Sequence, residues 1–155
     1  MADDKQGRPS RFHHSLARPV TSTTESEIGT LIYVGDTGDK WIYFDSDRLA
    51  AIGVRVDSHG KMPDVVLHDA ERGWLVVVEA VTNHGPVDDK RYAELTELFA
   101  AAGAGIIYVT AFRSHAAMAR YLGEIAWATE VWIAEVPSHL IHFDGDRFLG
   151  PYETE

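Results

Sequence analysis

The most constraining feature of the sequence is a pair of acidic residues, one at the end of each of two apolar stretches. Asp64 precedes the apolar residues 65–67, and Glu79 follows the apolar residues 75–78, with a polar segment at residues 70–73 between them. Two apolar stretches around a short polar segment ending in glycine predict a β-hairpin. A carboxylate in an apolar strand is costly unless it is paired or binds a metal ion.

The expected register of this hairpin places the two acids face to face. If Asp69 and Trp74 close the four-residue turn, Asp64 and Glu79 lie directly opposite on one face, with Cβ atoms about 5 Å apart. Two carboxylates at that distance can share one hard divalent cation. A slip of one residue would put them on opposite faces. In the alternative interpretation, one acid is solvated and the other pairs with an arginine, and spacing alone does not separate the two.

Length and composition indicate one domain without thiol chemistry. The chain has 155 residues, 45% of them hydrophobic, and no cysteine. The length suffices for one domain with a substantial core. Disulfides and thiolate metal sites are excluded, which is compatible with a reducing cytosol. Because no apolar run approaches a membrane span or a signal peptide, we expect a cytoplasmic protein without membrane association.

The charge is unevenly distributed along the chain. The net charge is −10, yet residues 1–24 hold four Lys/Arg against two Asp/Glu. We interpret residues 1–27 as a flexible N-terminal arm, because they are polar and aperiodic, and residues 28–155 as the folded domain. The acidic domain argues against non-specific nucleic-acid binding through a broad basic surface. It still permits a site in which metal ions offset local acids.

The remaining patterns predict a mixed sheet with helices packed on it, an α/β fold. A first hairpin precedes a short helix, and the acidic hairpin is followed by helix, strand, helix, strand and a last hairpin. The expected bounds are residues 31–34 with 41–44, helix 48–52, helix 89–102, strand 105–112, a helix after Ser114, strand 130–136, and 140–143 with 147–149.

The loop after Glu79 is unusually polar for a connection that leaves a buried strand. Thr82, Asn83 and His84 precede a Gly-Pro pair. In one interpretation they form the rim of a site and contact a phosphate or a metal-bound water. In the other, Asn83 and His84 bond nearby backbone in a tight turn.

Two cations open the helix that follows. A helix N-terminus favours anions, so Lys90 or Arg91 is placed to reach a phosphate. Arg91 shares a helix face with Leu95, which directs it toward the sheet. Lys90 shares a face with Glu94, which also fits a simple surface pair.

Several spaced motifs together resemble one known family. They are residues 61–67, 79–87 with the Lys90-Arg91 pair, 108–112, 125–127, 130–134, 139–143 and 145–151. In this order they resemble the C-terminal catalytic domain of the BsuBI/PstI type II restriction endonucleases, over roughly residues 31–151. The resemblance implies a restriction-endonuclease-like PD-(D/E)XK fold and Mg²⁺-dependent hydrolysis of double-stranded DNA in phage defence. It further implies a homodimer and a cognate DNA methyltransferase in the same system.

The resemblance also assigns roles to the two acids. Asp64 becomes the aspartate of the Pro-Asp motif and Glu79 the acid of the (D/E)XK motif, both binding Mg²⁺ with the Ala80 carbonyl as a third ligand. The lysine position of the motif holds Val81. Lys90 or Arg91 is then expected to supply the missing cation at the scissile phosphate.

Two alternatives remain open at this point. Val81, the acidic body and an N-terminal region shorter than is usual in the family favour a catalytically impaired nuclease-fold module that binds DNA or a protein partner. The short N-terminal region also suggests that another chain supplies sequence recognition. A third interpretation is a metal-dependent hydrolase that acts on something other than DNA.

Overall fold

A single seven-stranded sheet organises the protein. The structure, a computed structural model, describes residues 29–35, 41–55, 62–82 and 84–144. The strands are β1 (Thr30–Gly35), β2 (Trp41–Phe44), β3 (Val65–Asp69), β4 (Trp74–Ala80), β5 (Gly105–Phe112), β6 (Thr129–Ile133) and β7 (Leu140–Phe143). Their order in the sheet is β2-β1-β3-β4-β5-β6-β7. Only the β4–β5 and β5–β6 pairs are parallel, so the predicted mixed sheet is confirmed.

The helices begin at polar residues that cap them. They are α1 (Ser46–Ala51), α2 (Asp89–Leu98) and α3 (His115–Tyr121), with 3₁₀ turns at Ala100–Ala102 and Leu122–Glu124. The side chains of Asp45, Asp88 and Ser114 each accept a hydrogen bond from the backbone N–H three residues later. Such a bond satisfies one of the unpaired donors of the first turn. No helix in the described residues is long and apolar enough to span a membrane.

The acidic hairpin adopts the predicted register. Asp69 pairs with Trp74 across the turn, and the pairing continues in step to Val65 and Val78. Gly73 has φ +67°, a left-handed conformation that glycine adopts without steric cost. The register matters because it decides which face each acid occupies.

All three helices pack on one face of the sheet. Leu49 of α1 and Leu95 of α2 share a buried cluster with Leu75 and Val77 of β4. Residues of α3 pack over Phe112, which alternation puts on this same face of β5. Glu79 follows Leu75 and Val77 in the same alternation. The sheet therefore presents Glu79 to the side on which α2 lies.

Helix α1 (Ser46–Ala51) begins two residues before its predicted start, and two other elements end well before their predicted last residues. Helix α2 ends at Leu98, not at residue 102, and the chain continues as a 3₁₀ turn to Gly103, which has φ +60°. Strand β6 ends at Ile133 because the Val136 N–H turns back to bond the Ile133 carbonyl. Strand β7 pairs with β6. Its predicted partner at residues 147–149, like the N-terminal arm, lies outside the described residues.

Candidate functional site

Asp64 lies at the open end of the hairpin, just beyond the last paired residues, Val65 and Val78. The Asp64 N–H donates to the Val78 carbonyl at 3.1 Å, one residue out of step with that pairing. The Asp64 carboxylate accepts a hydrogen bond from the Ala80 N–H, 2.7 Å from Oδ2. The carboxylate is therefore held against the β4 backbone where Glu79 projects.

Glu79 is paired with an arginine from α2. The Nε and Nη2 atoms of Arg91 lie 2.8 Å and 2.5 Å from Glu79 Oε1. Arg91 also donates to the Met62 carbonyl at 3.3 Å and to Glu94 Oε2 at 3.3 Å. The Arg91 and Glu79 side chains are only 17% and 14% exposed. Arg91 therefore points toward the sheet, as helical periodicity predicts.

The surroundings of Glu79 disfavour the charged form of its carboxylate. Burial, together with the Asp64 charge, raises the pKa of Glu79 to about 7, although Arg91 acts in the opposite direction. A buried carboxylate whose pKa is raised by a neighbouring carboxylate forms a site that an added cation would stabilise. Arg91 supplies part of that positive charge within the protein.

The donor set suits a small hard cation. Within residues 29–35, 41–55, 62–82 and 84–144, no group of three or more His, Cys, Asp or Glu side chains could hold a metal ion. The candidate ligands are therefore the Asp64 and Glu79 carboxylates and backbone oxygens. Mg²⁺ commonly takes one or two carboxylates, keeps several waters and shares its shell with phosphate oxygens. The residues present fit that ion better than one that needs a full protein shell.

The position of the missing lysine is part of the apolar core. Val81 is 9% exposed and clusters with Phe112, Ile125 and Val131. Its N–H donates to the Ala111 carbonyl at 3.0 Å. This packing shows that the Val81 side chain fills an apolar niche under α3. The cation beside Glu79 comes from Arg91.

Lys90 lies apart from the carboxylates. Its side chain is 81% exposed, and its Nζ atom is 3.9 Å from Glu94 Oε1. This contact is the surface pair that the helix spacing allowed as an alternative. Of the two cations proposed for the site, the structure brings Arg91 to Glu79 and leaves Lys90 at the surface.

The loop between β4 and α2 is tied down at its far end. The Val87 N–H donates to the buried Thr110 hydroxyl at 3.1 Å, and the Ala126 N–H donates to the Val87 carbonyl at 2.9 Å. Thr82 and His84, the proposed rim residues, are exposed. Asn83 lies outside the described residues. Thr110, which anchors this loop, gave no signal in the sequence beyond its place in an apolar strand.

Tyr33 is a second site neighbour that sequence reasoning missed. It pairs with Val66, two residues from Asp64 along β3, and its hydroxyl lies over Gly35. The Gly35 N–H in turn donates to the Asp64 carbonyl at 2.8 Å. The pairing of β1 with β3 creates this proximity between residues 31 positions apart, so local sequence patterns do not predict it.

The fold and the carboxylate pair define a restriction-endonuclease-like domain. The structure of the SdaI restriction endonuclease matches it with a TM-score of 0.78 and 41% sequence identity, over 92% of this chain and 46% of that chain. The model of the BsuBI/PstI restriction endonuclease domain matches residues 8–146. The chain belongs to this family, so the predicted family and fold are confirmed.

Two curated relatives agree with this assignment. The type II restriction enzyme BsuBI of Bacillus subtilis is 62% identical over 125 residues, which are 81% of this chain and 40% of that enzyme. The type II restriction enzyme AplI of Arthrospira platensis is 32% identical over 130 residues, 79% of this chain and 40% of that enzyme. The chain thus spans less than half the length of these relatives. The family match begins within the predicted arm, and the arm's boundary remains a prediction.

Proposed function

We propose that this chain is the catalytic domain of a Mg²⁺-dependent type II restriction endonuclease that hydrolyses phosphodiester bonds of double-stranded DNA. The observation that carries the proposal is the proximity of the Asp64 and Glu79 carboxylates at the open end of the hairpin, with Arg91 bonded to Glu79. Family membership and the names of the relatives support a DNA substrate. A buried acid whose pKa is raised by desolvation and by a like charge is typical of functional sites.

Asp64 and Glu79, with the Ala80 carbonyl, would hold the metal ion in this proposal. When bound, Mg²⁺ activates water as a nucleophile and neutralises charge on the phosphate. The Ala80 N–H orients Asp64 through its bond to Oδ2. Burial of Glu79 keeps bulk water away and strengthens its attraction to cations.

Arg91 takes the place of the motif lysine in this proposal. Its guanidinium carries five N–H donors in a planar fork that matches phosphate oxygens. Contacts with Glu79, Glu94 and the Met62 carbonyl hold the fork at the site before substrate arrives. Arg91 therefore positions Glu79 and presents charge to the scissile phosphate.

The test is a cleavage assay with matched variants. Purified wild-type protein is incubated with Mg²⁺ and a set of genomic and plasmid DNAs, and products are resolved on gels. Wild type should give discrete fragments, and Asp64→Ala should give none. Lys90→Ala, at the surface, should cut like wild type. Equal cleavage by wild type and Asp64→Ala would remove the proposal.

Further parts of the proposal concern the setting of the enzyme. Cleavage of both strands at a two-fold symmetric site favours a homodimer, because each copy supplies one active site. We also propose a cytoplasmic restriction-modification system in which a cognate methyltransferase protects host DNA. Sedimentation of the DNA-bound protein tests the dimer. A methyltransferase gene beside this one would support the pairing.

A second candidate is a catalytically impaired module that binds DNA or a protein partner. One observation favours it: Val81 lies in the core, and Glu79 already has a cation in Arg91. A closed ion pair of this kind needs no metal. Calorimetry separates the two candidates, since Mg²⁺ or Mn²⁺ binding that requires Glu79 would count against the impaired module.

A further inference from the structure

Tyr33 projects from β1 into the carboxylate site. It pairs with Val66 of β3, and Asp64 lies two residues away, so both side chains are on one face by alternation. A Cβ atom at Gly35 would lie 2.9 Å from the Tyr33 hydroxyl oxygen, which fixes the ring over the Gly35 backbone. Gly35 itself bonds the Asp64 carbonyl. The absence of a side chain at Gly35 thus allows the tyrosine to approach Asp64.

The Tyr33 hydroxyl is a buried polar group without a partner. The residue is 7% exposed, and its hydroxyl makes no hydrogen bond among the residues that the structure describes. A buried hydroxyl without a partner typically costs about 1–3 kcal/mol. Tyr108, another buried tyrosine of the same cluster, has its hydroxyl 2.6 Å from Thr96 Oγ1. The contrast indicates that the Tyr33 hydroxyl is available to donate a hydrogen bond to a ligand that enters the carboxylate site.

We propose that the Tyr33 hydroxyl donates a hydrogen bond to a non-bridging phosphate oxygen of the bound DNA. A phenol suits an anionic acceptor, since a hydrogen bond to a charged group is stronger than one between neutral groups. A phenolic O–H is a donor at neutral pH, so the hydroxyl needs no change of protonation to bond a phosphate. Asp64, Glu79 and Arg91 would then act on the reacting phosphate while Tyr33 positions it.

The experiment compares Tyr33→Phe with wild type and with Tyr108→Phe. Binding of a fluorescent duplex that wild type cuts is followed by anisotropy, with Ca²⁺ in place of Mg²⁺. Tyr33→Phe should weaken DNA affinity by roughly tenfold to a hundredfold, because it loses one hydrogen bond to a charged acceptor. Tyr108→Phe should bind as wild type does. Calorimetric Mn²⁺ affinity should be equal in all three proteins.

Thermal stability without DNA provides a readout that a purely structural role would not give. Tyr33→Phe removes a buried group without a partner, so its Tm should equal or exceed that of wild type. Tyr108→Phe breaks the hydroxyl contact with Thr96, so its Tm should fall. A drop in the Tm of Tyr33→Phe would identify a structural hydroxyl and overturn the inference.

The inference rests on the proposed function. The measurements on wild type and on Tyr33→Phe distinguish a failure of the proposed function from a failure of the inference alone. If wild type neither binds nor cuts DNA, the proposed function fails and the inference with it. If wild type binds and Tyr33→Phe binds equally well, only the inference fails. If Tyr33→Phe loses Mn²⁺ affinity while its DNA affinity is unchanged, the hydroxyl serves a metal-bound water, and the phosphate assignment is overturned.

Discussion

Each end of the β3–β4 hairpin holds an acid bonded to an arginine, Asp69 at the turn and Glu79 at the open end. The pKa of Asp69 is lowered, whereas the pKa of Glu79 is raised. At the turn, Asp69 accepts from the Arg72 backbone N–H at 3.0 Å and from Arg72 Nη1 at 2.8 Å. These hydrogen bonds hold the pKa of Asp69 below its ordinary value, and the bond from the Arg72 backbone N–H has the larger effect. At the open end, burial raises the pKa of Glu79 to about 7 despite Arg91.

The difference follows from how each acid obtains its partners. Arg72 lies three residues from Asp69 and is 45% exposed, so the turn satisfies Asp69 locally while the arginine stays hydrated. Glu79 depends on Arg91 from the next helix, which is 17% exposed, and it has Asp64 beside it. The turn end is thus a structural contact. The open end has unrelieved charge, which is typical of a site that binds something.

The largest expected effect separates the two acids by activity. Glu79→Gln should reduce DNA cleavage by at least about a thousandfold, because it removes a metal ligand and a full charge from the site. Asp69→Asn should cut within about twofold of wild type, since its contacts serve the turn. Single-turnover rates in Mg²⁺ measure both. Comparable losses in the two variants would erase the distinction between the hairpin ends.

A second prediction concerns the position of the missing lysine. Val81→Lys should lower the free energy of unfolding by about 3–4 kcal/mol, because it places an ammonium group among apolar side chains. Denaturant unfolding measures the loss. The same change should fail to restore cleavage when Arg91 is replaced by Met. Rescue of Arg91→Met by Val81→Lys would contradict the assignment of Arg91 to this role.

A third prediction uses the pH dependence of stability in metal-free buffer. The folded pKa of Glu79 is about 7, against 4.5 for the free side chain. Between these pH values the folded state holds a proton that the unfolded state has lost, so the contribution of Glu79 to stability falls as pH rises. Across this pH range the free energy of unfolding of wild type should fall by roughly 3 kcal/mol relative to that of Glu79→Gln. Urea unfolding at several pH values measures the difference.

The turn end should show the opposite sign. Because folding lowers the pKa of Asp69, this residue stabilises the folded state at pH values above its unfolded-state pKa. That stabilisation is lost as the pH falls through its folded-state pKa. Asp69→Asn should therefore differ from wild type at neutral pH and approach it in acid. Parallel pH profiles for the Glu79 and Asp69 variants would contradict the comparison.

The fourth prediction distinguishes the two neighbouring cations of α2. Arg91→Met should reduce cleavage by about a hundredfold, because it removes the charge presented to the phosphate and leaves Glu79 without its partner. Lys90→Met should change the rate by less than about twofold, since its side chain is exposed and, among the residues that the structure describes, pairs with Glu94. Steady-state kinetics of both variants provide the test. A larger loss for Lys90→Met would reverse the assignment.

The hairpin and its register were predictable because they depend on local signals. A four-residue turn ending in Gly73 fixes the partner of each strand residue from Asp69 with Trp74 to Val65 with Val78. The direction of Arg91 followed from helical periodicity alone. Family and fold were identified from spaced motifs, and both are confirmed by the comparisons.

The parts that sequence reasoning missed depend on non-local packing. Val81 lies on the same face as Glu79, but its side chain is buried under α3 against Phe112, a contact that depends on how α3 packs. Tyr33 reaches the site only because β1 pairs with β3 through an irregularity between Leu31 and Tyr33. Neither the partner strand nor that irregularity has a local sequence signal.

Metal binding to the hairpin tests the central claim most directly. Isothermal calorimetry with Mn²⁺ compares wild type, Asp64→Asn and Asp69→Asn, variants that remove the same charge at opposite ends of the hairpin. We predict that wild type and Asp69→Asn bind the ion with similar affinity and that Asp64→Asn loses binding at least tenfold. If Asp64→Asn binds Mn²⁺ as wild type does, Asp64 is not a metal ligand and the open end of the hairpin is not a metal site.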